Sequence, residues 1–341
     1  MHQPFTPIRE FSMPDEGSFR REIENSERPA ILRGLVNSWP VVEVSRRSPA
    51  AVVEYLRRFD SGSPVDAIMT PPEFAGRIAY SEDMQGFNFV RNRLPITAIA
   101  EQVLRYGAFA RPPAVAAQSA PIRDCLPRFS AENRLTGVDD SVQPRIWLGN
   151  AITTPTHLDE WSNIGCVVAG RRRFTLFPPE QIANLYIGPL DFAPTGAPMS
   201  LVTLRDPDFV RFPRFERALA AAVSAELGPG DAIFIPALWW HHVESLEPFN
   251  LLVNYWWHGL EGAGIGMNSG FDCLAHAILN LRPLAPATRA AWRALFDQYV
   301  FGAQAGVTDH IPEHRHGILG KLSPADAARR RAQLAERLQT R

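Results

Sequence analysis

Between residues 143 and 258 the chain reads as a succession of short β-strands cut by turns, and this pattern constrains the fold more than any other feature. The candidate strands are Arg145–Leu148, Thr156–Asp159, Asn163–Val168, Arg173–Phe177, Ala232–Ile235, Trp239–Glu244 and Leu251–Trp257. Turn signals separate them at Ala169-Gly170, Pro178-Pro179 and Gly228-Pro229-Gly230-Asp231. Short strands with such regular punctuation predict a β-sandwich or barrel. One longer excursion, 180–227, is rich in Pro and Phe and is expected to form a lid or a substrate wall.

The flanks have a different texture, which divides the chain into 1–120, 121–260 and 261–341. The first segment reads as an α/β extension. Pro29–Gly34 has the look of a buried strand closed by Gly, and residues 49–58 fit a short helix. A second helix over 96–106 puts Ile96, Ile99, Val103 and Tyr106 on one face and stops at Gly107. The last segment is helical. Phe271, Leu274, Ala275, Ile278 and Leu281 follow the helical period, as do Trp292, Leu295, Phe296, Tyr299 and Val300, with Pro283 and Pro286 bounding the turn. This predicts a helical hairpin, followed by a helix from Ser323-Pro324 to about Leu338. So much apolar surface on Leu274, Ile278, Trp292, Leu295 and Phe296 leads us to expect a homodimer through the hairpin.

Composition narrows the function. The formal net charge is −1, so bulk electrostatics gives no reason to expect a nucleic-acid or anionic-membrane partner. No apolar run approaches the ~18 residues of a membrane span. The opening residues Met1-His2-Gln3-Pro4-Phe5 show neither the basic nor the apolar region of a signal peptide. Cys125, Cys166 and Cys273 are far apart and form no CxxC pair, which argues against a disulfide scaffold or a thiolate zinc site. A cytoplasmic protein is the expectation. Lysine occurs once, at Lys321, so a site that needs a cation is expected to use arginine.

Two stretches carry chemistry. On a strand, His157 and Asp159 point to the same face and bring an imidazole and a carboxylate together. Alone this says little: with 9 His and 36 acidic residues in 341, about one such spacing arises by chance, and His242-Val243-Glu244 is a second. The other stretch is Pro236-Ala237-Leu238-Trp239-Trp240-His241-His242. A histidine pair in so apolar a setting is costly unless its ring nitrogens find partners. One of the two could join His157 and Asp159 in a facial set of two His and one carboxylate, the arrangement of non-haem Fe(II) oxygenases. Strand parity leaves open whether His241 or His242 points inward.

Taken together, the motifs are far more specific. Gly228 to Ser245, with Asn254-Tyr255-Trp256, resembles the JmjC (cupin-like) 2-oxoglutarate dioxygenases, and most of all the subgroup of the hypoxia-inducible-factor asparaginyl hydroxylase. Thr154-Pro155-Thr156-His157-Leu158-Asp159-Glu160, then Asn163, then Gly170 to Pro179, match the other half of the pattern. The resemblance implies a mainly β protein, a double-stranded β-helix or jelly roll, with an amino-terminal α/β extension and a carboxy-terminal helical hairpin. It implies Fe(II) held by His157, Asp159 and His241. His242 would then be a neighbour on the opposite strand face, held by hydrogen bonding. The cosubstrate 2-oxoglutarate would meet Thr154, Asn163 and Asn254, with its distal carboxylate on Arg172, where the related hydroxylase has a lysine. A guanidinium suits that task. Arg171 and Arg173 would face away, towards solvent. O2 completes the implied reaction, hydroxylation of a C–H on a protein or peptide side chain.

The pattern is also broken in places. Where the asparaginyl hydroxylase holds its target amide with glutamines, this chain has Trp161 and Met199, and an aromatic hydroxyl near the cosubstrate has no counterpart in Pro113-Ala114-Val115-Ala116. Asparagine as the target is therefore open. Trp161, Met199 and Trp256 are the expected pocket walls, while Trp240 and Trp257 are expected in the core. Cys166 is expected to pack as a small hydrophobe, and His310, His314 and His316 to lie on a surface loop. A small-molecule hydroxylase, a non-catalytic metal-binding module and a zinc-dependent cupin isomerase are the alternatives.

Overall fold

The structure is a computed structural model, and it describes residues 5–12, 19–194, 196–257, 270–302 and 306–339. The chain divides into two compact units, 1–259 and 260–341. The expected boundary at 260/261 lies outside the described residues.

In the first unit the strands are β1 (Thr6–Pro7), β2 (Arg9–Ser12), β3 (Ala30–Arg33), β4 (Val65–Thr70), β5 (Val90–Leu94), β6 (Ala114–Pro121) and β7 (Arg145–Gly149). They continue as β8 (Thr153–Leu158), β9 (Ser162–Ala169), β10 (Arg172–Phe177), β11 (Val223–Leu227), β12 (Ala232–Ile235), β13 (Trp240–Ser245) and β14 (Asn250–Trp257). Two sheets result: a five-stranded one, β1-β11-β10-β13-β8, and a nine-stranded one, β2-β3-β12-β9-β14-β7-β6-β4-β5. This is the jelly-roll arrangement with helical additions. The segment 1–120 is no separate body, because β2 to β6 extend both flanks of the nine-stranded sheet.

The central strands β12, β9 and β14 of the larger sheet are buried on both faces, which is why they read as nearly unbroken apolar runs. One face packs on the helices. Ile146 and Leu148 of β7, Ile164, Cys166 and Val168 of β9, Ala232 and Phe234 of β12, and Leu251, Val253 and Tyr255 of β14 join the helical residues Val52, Leu56, Ile96, Ile99 and Val103 in the main core. The alternate positions turn towards the smaller sheet. Val167, Ile233, Ile235 and Leu252 meet Phe174, Leu176 and Leu227 there in a second core.

The turn at Gly228–Asp231 ties this assembly to the amino-terminal segment. The Asp231 carboxylate accepts from Arg33 Nη1 at 2.7 Å, Gly34 N at 3.0 Å and Gly228 N at 3.2 Å. Gly230 has φ +101°, and a Cβ there would come within 2.0 Å of Asn37 Oδ1, so glycine is required.

The excursion 180–227 is more regular than expected. It carries a helix at Phe215–Ala221 and then β11, which pairs with β10. In the second unit, helices at Gly270–Leu281 and Pro286–Phe296 form the expected pair, and a third runs Pro324–Gln339, with Ser323 Oγ accepting from Asp326 N. No residue of these three helices is buried. No helix of the described residues is long and apolar enough to cross a membrane.

Candidate metal and cosubstrate site

The inward positions of the two sheets enclose a cavity of about 160 Å³. From the smaller sheet come Thr154 and His157 of β8, Arg172 and Phe174 of β10, and His241 and Val243 of β13. From the larger sheet come Ser119, Trp147, Asn163, Gly165, Ile235, Leu252, Asn254 and Trp256. Thr154 and His157 are three apart and would face opposite ways on a regular strand. A bulge reconciles them: His241 pairs with His157 and Val243 with Thr154, so Pro155 and Thr156 together oppose the single residue His242. The expected strand Thr156–Asp159 accordingly starts three residues earlier, and Asp159 lies just past its end.

The register also settles parity. His241 turns inward beside His157, with ring centroids 4.2 Å apart. The ligand atoms of His157, Asp159 and His241 all lie within 4.8 Å of one another, the one such cluster among the described residues. Each imidazole is fixed by its own strand: His157 Nδ1 lies 2.9 Å from Pro155 O and His241 Nδ1 lies 3.0 Å from Trp239 O. A carbonyl only accepts, so each Nδ1 carries the proton and each Nε2 lone pair is left for a cation. Burial, with the neighbouring His241, pushes the His157 pKa down to about 4, which keeps that ring neutral at pH 7. Asp159 Oδ2 accepts from Trp256 Nε1 at 3.0 Å and lies 3.6 Å from His241 Nε2. Two imidazoles and one oriented carboxylate make a donor set that fits a divalent metal ion.

Arg172 is 8% exposed, yet its Nε has no hydrogen-bond partner. Burial pushes its pKa down to about 10, still well above neutrality, so the cavity contains an unmatched cation. Its neighbours are the reverse. Arg173 pairs with Glu226 at 2.5 Å and Glu244 at 3.3 Å, and Arg171 with Glu247 at 2.8 Å, all at the surface. A polar chain crosses the opposite wall: Trp147 Nε1 donates to Asn254 Oδ1 at 2.8 Å, and Asn254 Nδ2 donates to Asn163 Oδ1 at 3.1 Å.

Three expectations need correction. His242 does turn to the opposite face, but it is not held by hydrogen bonding: its Nδ1 has no partner, and the ring lines a separate groove of about 530 Å³. Met199 forms a bridge with His157 and lines that outer groove, and it is not among the residues that line the cavity. Trp161, past the strand end, is half-buried and does not line the cavity. Trp256 does, while Trp240 is buried, Trp257 is half-buried with its Nε1 donating to Glu24, and Cys166 is fully buried. His316 is held by Ile311 O, and none of the three late histidines joins a metal cluster among the described residues.

Comparison with known proteins agrees with the geometry. A family profile described as the cupin-like domain matches residues 16–262. The chain belongs to this family. Its relatives include the human HSPB1-associated protein 1, 38% identical over 113 residues, which are 33% of this chain and 22% of that protein. The lysine-specific demethylase JMJ31 of Arabidopsis thaliana is 37% identical over 112 residues, 33% of this chain and 20% of that protein. The lysine-specific demethylase 8 of Danio rerio is 26% identical over 264 residues, 74% of this chain and 59% of that protein. The chain thus spans about a fifth of the length of the first two relatives. The convergent donors of His157, Asp159 and His241 lie within the span that this cupin-like family profile matches.

Sequence reasoning missed Trp147, Ser119 and Arg145. Trp147 was legible as the inward position between Ile146 and Leu148 of an expected strand. Ser119 was not, because it sits at a second bulge, between Ala117 and Ala120, with φ +47°.

Proposed function

We propose that this protein is an Fe(II)- and 2-oxoglutarate-dependent dioxygenase that hydroxylates a C–H of a protein or peptide side chain. The observation that carries the reading is the pairing, in one small cavity, of the convergent donors of His157, Asp159 and His241 with the unmatched cation of Arg172. Metal binding alone would need only the first. When bound, Fe(II) with 2-oxoglutarate and O2 supplies the oxidation that converts C–H to C–OH as the 2-oxo acid becomes succinate and CO2.

The chain's own residues do the rest. His157, Asp159 and His241 would hold the metal, and Trp256 orients the Asp159 carboxylate. Arg172 would bind the distal carboxylate of the cosubstrate with charge-assisted hydrogen bonds, helped by Thr154, Asn163 and Asn254. Phe174, Ile235, Val243 and Leu252 exclude water from the space between. The relatives that are lysine-specific demethylases favour a protein substrate. The modest cavity, about 160 Å³, favours a small carboxylic acid as the second reading. Stoichiometric succinate release from 2-oxoglutarate with Fe(II), screened over peptides and metabolites, tests both. No succinate under any condition would sink the enzymatic reading.

The second unit belongs to the same proposal as a dimerisation element. Leu274, Trp292 and Leu295 stay 42–47% exposed, more apolar surface than a solitary helical hairpin usually leaves in water. The expected result is a dimeric mass by light scattering at micromolar concentration. A monomer with full activity would refute it.

A further inference from the structure

We propose that Arg145 is the anchor for an anionic group of the substrate, so that this site takes an acidic side chain or carboxylic acid rather than a cationic one. The inference rests on the oxygenase reading above and deepens it.

Arg145 opens β7 and is half-buried. Its guanidinium lies over the ring of Trp256, 5.8 Å from the centroid, and Trp256 both lines the cavity and holds Asp159. Its Nη1 donates to Ser119 O at 2.8 Å and to Ser119 Oγ at 3.3 Å. Every one of these partners is neutral, and no carboxylate pairs with Arg145 among the described residues. Arg172, the cation that lines the cavity itself, is likewise without an acid partner among the described residues.

The grip on Arg145 is itself built. Ser119 reaches it from a bulge, in a left-handed backbone conformation that an L residue adopts only at a cost. That conformation turns both the Ser119 carbonyl and hydroxyl onto one guanidinium nitrogen, and Ser119 also lines the cavity. Trp147 stands edge-on to Trp256, centroids 6.1 Å apart at 84°. A pair of tryptophans like this would suit a cationic substrate group, but Arg145 already occupies one ring. A second cation brought there would be repelled.

Charge accounting points the same way. The charges of a divalent ion and of Arg172 are matched by Asp159 and the two carboxylates of the cosubstrate. Arg145 is then left over, and an anion on the substrate is what balances it.

The test uses the full-length protein with Mn(II) and 2-oxoglutarate, and reads binding from Trp fluorescence. The probes are Ac-Gly-Xaa-Gly amides with Asp, Asn or Lys at Xaa, and the matching N-acetyl amino-acid amides. The expected result is a preference for Asp over Asn and Lys. Arg145→Gln should weaken the Asp probe by roughly tenfold or more and abolish the preference, with 2-oxoglutarate affinity unchanged. Arg145→Lys, which keeps the charge and guards against a folding defect, should retain it. Peptide and free amide arms distinguish a protein substrate from a small acid. Equal binding of all probes, a preference for Lys, or loss of 2-oxoglutarate affinity in Arg145→Gln would overturn the proposal. The panel is repeated without metal or cosubstrate: if 2-oxoglutarate fails to bind but the Arg145-dependent preference persists, the oxygenase reading falls and this one stands.

Discussion

The two faces of the smaller sheet use the same residue types to opposite ends. On the outer face Arg171 and Arg173 of 170–173 are bound to Glu226, Glu244 and Glu247, and the polar groups largely satisfy one another. On the inner face Arg172, flanked by both, is buried and without an acid partner among the described residues, and the ligand atoms of His157, Asp159 and His241 converge within 4.8 Å of one another. An arginine paired at the surface contributes little and could be many other residues. An arginine buried without an acid is destabilising unless a ligand meets it. An unpaired charge, rather than an unpaired polar atom such as the Nδ1 of His242 on the outer face, is what marks the inner face as the working one.

Removing a metal donor should show the contrast at its largest. In His241→Ala or Asp159→Ala, iron content should fall by more than ~100-fold in affinity and succinate release should vanish. His242→Ala, one residue along on the other face, should keep both. Iron retained by His241→Ala and lost by His242→Ala would reverse the assignment of faces.

Arg172→Ala should weaken 2-oxoglutarate binding by about 10- to 150-fold, from the loss of roughly 1.5–3 kcal/mol of charge-assisted hydrogen bonding. Iron affinity should be nearly untouched, as calorimetric titration of each ligand would show. A smaller loss is expected for Trp256→Phe, which removes the donor to Asp159 but keeps the ring: about 10- to 100-fold in metal affinity, with cosubstrate affinity at saturating metal preserved. At the far end, Arg173→Ala should change stability by no more than ~1 kcal/mol in denaturant unfolding and leave both affinities alone. An effect on 2-oxoglutarate there as large as that of Arg172→Ala would erase the distinction between the faces.

Much of this was legible in the sequence, for identifiable reasons. Strands such as Ala232–Ile235 announce themselves because both faces are buried and Gly228–Asp231 stops the chain sharply. His157 and Asp159 were read from their local spacing, and Arg172 only through the family resemblance. What escaped detection depends on partners distant in sequence. The choice between His241 and His242 is made by pairing with β8, more than eighty residues earlier in the chain. The inward turn of Thr154 needs a bulge that no spacing rule reveals. Trp147 acquires its role from Asn254, 107 residues away, and Ser119 from a backbone conformation that Gln-Ser-Ala does not advertise. The sequence likewise does not show that Met199 and Trp161 stand outside the cavity lining.

The clip on each ligand histidine has one more consequence. Because His157 and His241 are each fixed by the carbonyl two residues before them, their orientation is set by strand geometry and does not wait for the ion. Metal exchange then requires no refolding, and the vacated donors keep their spacing between one ion and the next. Such a rigid, half-open set discriminates weakly among first-row divalent ions, which it ranks by the general order of ligand affinity. If such a set holds a metal, the ion it takes would follow supply, and inhibition by a competing Co(II), Ni(II) or Zn(II) is expected to be reversible on exchange.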